Sequence, residues 1–135
     1  MKKKPFLEAD QVEAILRAAR QYAENNGWAV TIAICDDGGH LLGLLRLDGA
    51  APLSAHVAVA KAHAAAVGRR ESKGYEESIN QGRFAFLSAP HIEGMLEGGV
   101  PIVHEGHVVG AVGVSGVKSD QDAQIARVGI ATLQG

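Results

Sequence analysis

Two compact turns constrain this chain most, because each closes a pair of extended segments that can only run antiparallel. From Trp28 to Cys35, Val30, Ile32 and Ile34 alternate with Thr31, Ala33 and Cys35, the period-two pattern of a strand. Asp36-Asp37-Gly38-Gly39 follows, and a second extended segment runs from His40 to Leu47. Glycine reaches positive φ without steric cost and aspartate caps its own turn, so this cluster predicts a hairpin. Later, Val100–His104 and His107–Ser115 are joined by Glu105-Gly106, a two-residue connection of the type hairpins favour. Met95–Glu97 adds a candidate short strand, ended by Gly98-Gly99.

Around these strands the period changes to that of a helix. In Glu8–Asn25, Val12, Ile15, Leu16, Ala19, Tyr22 and Ala23 share one side, and Gly27 suits the left-handed position beyond the end. Pro52 opens a second helix, Leu53–Val67, rich in alanine, whose small side chain permits close approach to a sheet. Ser119 and Asp122 are close to a capping box for a last helix, Asp120–Leu133, which makes Asp122 a capping carboxylate. Glu71–His91 is the least patterned stretch, with one short helix expected at Tyr75–Gln81. Amphipathic helices must bury their apolar stripes, so the fold class is α+β. The economical arrangement is profilin-like, α/β/α, with helices flanking a five-stranded antiparallel sheet. Residues 1–135 contain no internal repeat or linker and read as one domain.

Composition excludes several functions. A net charge of −2 leaves no electrostatic footprint for nucleic acid. No apolar run approaches the roughly 20 residues that span a bilayer. Lys2-Lys3-Lys4 has no apolar region behind it and is not a signal peptide. Cys35 is the only cysteine, which excludes an internal disulfide and fits a reducing, cytoplasmic setting. No glycine-rich segment has phosphate-binding spacing, and no nucleophile elbow is present.

Four stretches carry a resemblance to a known family. Asp36-Asp37-Gly38-Gly39-His40-Leu41-Leu42 continues to Arg46-Leu47-Asp48-Gly49-Ala50. Then come Gly98-Gly99-Val100-Pro101-Ile102-Val103 and Gly106 through Gly110-Ala111-Val112-Gly113-Val114-Ser115-Gly116, and finally Gln121-Asp122 with Ile125-Ala126 and Gly129. In this order they resemble the GlcG/HbpS haem-binding family, found also as the C-terminal domain of PduO-type proteins. The resemblance implies a profilin-like fold, homo-oligomers and, for some members, haem binding, degradation or sensing. Other members accompany pathways for small organic acids or diols.

The residues themselves offer one main site. Arg46 presents a planar fork suited to a carboxylate or haem propionate. Asp48 and Gly49 lead into a helix N-terminus, and Lys61 lies about two turns further on. The alternative is an Arg46–Asp48 pair pinning the loop, with Lys61 a solvated helix charge. His40 either ligates iron or shuttles a proton, or it simply bonds its own turn. Gly98, Gly99, Ser115 and Gly116 are positions for close backbone approach, to a ligand or within the fold. His56 and His63 are seven apart and share a helix face, lining a pocket, a subunit contact or an exposed surface. His104 and His107 flank a turn without further ligands nearby, so no metal site is expected there. Cys35 reads as a buried, inert thiol.

Three functions fit these residues. The first is a binding protein for haem or a related tetrapyrrole. The second is an enzyme or accessory enzyme on a small organic carboxylate, with His40 or Lys61 as acid or base. The third is a structural or assembly protein without pocket chemistry.

Overall fold

The computed structural model describes residues 1–134. Helix α1 (Ala9–Asn25) is followed by β1 (Thr31–Asp36), β2 (Leu41–Arg46), α2 (Pro52–Gly68) and α3 (Ser72–Asn80). A 3₁₀ turn (Phe84–Ser88), β3 (Gly99–His104), β4 (His107–Ser115) and α4 (Ser119–Ala131) complete the order. The strands form one antiparallel sheet in the order β2-β1-β4-β3. Helices cover both faces, so the α+β expectation holds.

The sheet has four strands rather than five. Met95–Glu97 is not a strand, and helices hold it and the residues beside it. Ser72 Oγ on α3 donates to the Leu96 carbonyl and accepts the Gly99 N–H at 2.8 Å. Gly94 lies so close to α2 that a Cβ there would come within 2.6 Å of the Ala60 backbone. The segment is thereby laid along α2 instead of the sheet edge.

Both expected hairpins form. Asp36 Oδ1 accepts the N–H groups of Gly38 and His40, each at 2.9 Å, which closes the first turn. In the second, Glu105 and Gly106 both adopt positive φ (51° and 78°), the geometry whose twist matches flanking strands. Pro52 occupies the start of α2, and Arg69 in the left-handed conformation ends it.

The two faces of the sheet differ in kind. Ile32, Ile34, Val112, Val114, Val100 and Ile102 form a branched aliphatic core with Val12, Ile15, Ile125 and Ile130 from α1 and α4. On the other face Ala33, Cys35 and Ala111 meet Ala58, Ala62, Ala65 and Ala66 of α2. There a Cβ on Gly113 would fall 2.1 Å from the Ala58 carbonyl oxygen. Helix backbone rests directly on strand backbone. The weakly patterned 71–91 stretch is also ordered, since Tyr75 packs edge-on against Phe86 and Arg70 stacks 3.8 Å above the Tyr75 ring.

Candidate functional site: a histidine-lined cleft beside helix α2

Alanines occupy most of the side of α2 that meets the sheet, and several of its larger side chains lie on the other side. His56, Val59 and His63 lie on this outer side, where the 3₁₀ turn and the segment through Ile92 fold back across the helix. A cleft of about 540 Å³ results, within the range of small-molecule pockets. Three imidazoles line it, from His56, His63 and His91, with Val59, Leu87 and Ile92 as apolar walls and Glu93 as its one carboxylate.

His63 differs from its neighbours. Its Nδ1 lies 3.2 Å from the Gly39 carbonyl oxygen and its Nε2 lies 3.0 Å from that of His91. Both partners can only accept, so the ring N–H donates to one of them, and the two carbonyls hold the ring in place between the hairpin turn and the cleft wall. Gly39 is required here: at φ +83°, a Cβ would come within 2.4 Å of His63 Nδ1. His91 holds a positive φ of 60°, uncommon outside glycine. His63 therefore ties the first hairpin turn to the wall of the cleft. Among the described residues, the His56 and His91 rings make no hydrogen bond.

The residues singled out in the sequence are not brought together. Lys61 is buried, not solvated: its Nζ donates to the Val114 carbonyl at 2.9 Å and to Asp122 Oδ2 at 3.1 Å. Asp122 is accordingly no simple helix cap; its other oxygen accepts the Val117 N–H at 3.1 Å, while Gln121 takes the Lys118 N–H. Burial pushes the Asp122 carboxyl above the usual range, opposed by the Lys61 charge. Gly98 and Gly99 pack on this pair, a Cβ at Gly98 falling 2.7 Å from Lys61 Nζ and one at Gly99 falling 2.2 Å from the Lys61 carbonyl oxygen. Gly116 is pressed against Ala29 and Val30 in the same way. Ser115 stands opposite Thr31 in the β1–β4 register. Protein backbone fills the space at these glycines.

Arg46 is exposed, across the sheet in a separate groove of about 370 Å³ with Trp28 and Asp48. No Arg46–Asp48 ion pair pins the loop; Arg20, which shares the groove, pairs with Glu24 at 2.6 Å. Gly49 serves its turn at φ +88°. His40 is 81% exposed and leans on Asp36 at 3.2 Å, bonding its own turn. His104 and His107 are register partners at the exposed end of the second hairpin, with Glu105 3.7 Å from the His104 ring. The Cys35 thiol, buried and donating to the Ala62 carbonyl, is pushed up to about 12 by that burial. No described helix is long and apolar enough to cross a membrane.

What the sequence offered toward the cleft was the seven-residue spacing of His56 and His63. The opposing wall was illegible, since nothing local announces that residues 89–96 return to α2.

Known proteins share this architecture. HbpS of Streptomyces reticuli, in a double-mutant crystal structure, superposes with a TM-score of 0.89 at 31% identity, over 98% of this chain and 90% of that one. A crystal structure described as a PduOC–haem complex matches in fold with a TM-score of 0.85 at 23% identity, over 94% of each chain. By sequence, protein GlcG of Escherichia coli K12 is 52% identical over 115 residues, 85% of either chain. The family model described as "Haem degrading protein HbpS-like" matches residues 7–131. On this evidence of sequence and fold together, the chain belongs to the HbpS-like family.

Proposed function

We propose that this protein binds haem or a related tetrapyrrole, and that the cleft beside α2 is the binding site. The observation that carries this reading is one cleft holding two imidazoles that have no hydrogen-bond partner among the described residues, beside the apolar walls of Val59, Leu87 and Ile92. That donor set fits the group, because a neutral imidazole ligates haem iron and the flat macrocycle needs apolar cover. A haem-degrading family and a neighbour described as a haem complex support the same ligand class. No lysine or arginine lines the cleft, so affinity there rests on iron ligation and apolar contact. Titration with haemin tests the proposal. The wild type should give a shifted, saturable Soret band, Leu87→Asp should weaken binding, and Arg46→Ala should leave it unchanged. A wild type without a Soret shift overturns the reading.

A second reading follows from the exposed Arg46, which has no carboxylate partner among the described residues and sits beside Trp28 in its own groove. That guanidinium suits a small organic carboxylate, the ligand of an enzyme or accessory enzyme. A melting-temperature rise with one acid of a panel, abolished by Arg46→Ala, would support it. We further read the chain as one cytoplasmic domain of profilin-like layering that assembles into homo-oligomers. Leu41, Leu42 and Leu44 stand exposed on the edge strand β2, which favours coverage by another subunit. Light scattering should exceed the 14.1 kDa monomer mass, and a monomer would count against assembly.

A further inference from the structure

We propose that, within this cleft, His56 supplies the imidazole that ligates the iron of a bound tetrapyrrole, while His63 positions the cleft wall and stays off the iron. This inference rests on the haem reading above. Three similar side chains line the cleft, and each is already engaged differently.

Both ring nitrogens of His63 point at backbone carbonyls rather than into the open cleft. Turning Nε2 toward an iron would abandon the His91 carbonyl at 3.0 Å and release the segment that forms the opposite wall. Turning Nδ1 away would abandon Gly39 at 3.2 Å and free the hairpin turn. His91 rides on that same wall, its backbone at positive φ and its own carbonyl held by His63, so its ring is only as fixed as the clamp. His56 stands on α2, about two turns from His63, on a helix whose other side is locked against the sheet through Ala58 and Ala62. Its ring lines the cleft without a hydrogen bond of its own. A ligand carried by a rigid helix, with a separate residue fixing the enclosure, is the division of labour a precise site requires.

Two porphyrins separate these roles: haemin, and metal-free protoporphyrin IX, which fills the same space without offering iron. Binding is followed by the Soret band and by porphyrin fluorescence, and iron ligation by the iron–histidine stretch in resonance Raman of the reduced complex. The wild type should show that stretch and bind haemin more tightly than the metal-free ring. His56→Ala should lose the stretch, bind both porphyrins equally, and regain the imidazole signature when imidazole is added. His63→Gln should keep the stretch while both porphyrins bind roughly ten- to a hundredfold more weakly, the effect expected of a supporting residue. Persistence of the stretch in His56→Ala, or its loss in His63→Gln, overturns the assignment while leaving haem binding intact. If neither porphyrin binds the wild type, the haem reading itself falls, and this inference falls with it.

Discussion

The two faces of the sheet solve the same burial problem with opposite materials, and only one of them leaves room for a site. Toward α1 and α4, Ile32, Ile34, Val112 and Val114 interdigitate with Ile15 and Ile125, so helix and sheet are held apart by side chains. Toward α2 the spacers are absent: Gly113 and the alanines let backbone touch backbone. A helix seated so closely meets the sheet mainly through alanines, with Lys61 its one large buried side chain there. His56, Val59 and His63 line the open cleft on the outer side, whose opposite wall is formed by residues between Leu87 and Glu93. Small residues beneath the helix are what make a lined cleft above it possible.

The largest effect should come from widening the tight face. Gly113→Val would force a side chain into the Ala58 carbonyl, and we expect a loss of about 3 kcal/mol or more, read as failure to fold or a collapsed urea midpoint. Next is the buried ion pair at the edge of that face. Lys61→Met should cost about 3–5 kcal/mol, since Asp122 is left buried without its partner, whereas Lys61→Met with Asp122→Leu should recover most of the loss. Equal losses in the single and double variants would show that packing, not charge, holds this corner. On the branched face, Ile32→Val should cost only about 0.5–1.5 kcal/mol, because a missing methylene leaves a small cavity. A cost matching that of Gly113→Val would erase the contrast between the faces.

A smaller effect concerns pH. Burial keeps the proton on Asp122 to higher pH in the folded chain than in the unfolded one. This group's stabilising contribution is thus complete below the unfolded carboxyl value of about 3.9 and declines as pH rises through the folded value. Asp122→Asn should flatten that part of the stability–pH curve, measured by urea midpoints from acid to neutral pH, while lowering stability overall. An unchanged slope would place the titration elsewhere.

How much of this was legible in the sequence follows from how local each signal is. The hairpins were readable because Asp36-Asp37-Gly38-Gly39 and Glu105-Gly106 determine their own backbone. The close seating of α2 was readable as alanine content, though Gly113 as its counterpart was not. The fifth strand failed because Ser72 and the Ala60 backbone, both distant in sequence, hold Leu96 and Gly94 and so capture the Met95–Glu97 region for the helices. The site was harder still. Arg46 and Lys61 are both cations near one loop in sequence, but the fold separates an exposed groove from a buried ion pair. Whether a charged helix residue is solvated or buried depends on what Val114 and Asp122 bring to it, and no spacing rule contains that. The histidine face of α2 was visible as a pattern, while its function depends on a wall that only tertiary structure supplies.

The central claim is that ligand binds against α2 in the cleft closed by residues 87–93. Paramagnetic broadening of backbone amide signals by bound haemin tests it most directly. Broadening should concentrate at residues 56–63 and 87–93, with the amides of Arg46 and Asp48 little affected. Broadening centred on Arg46, Trp28 and Asp48, with the α2 cleft untouched, would contradict it.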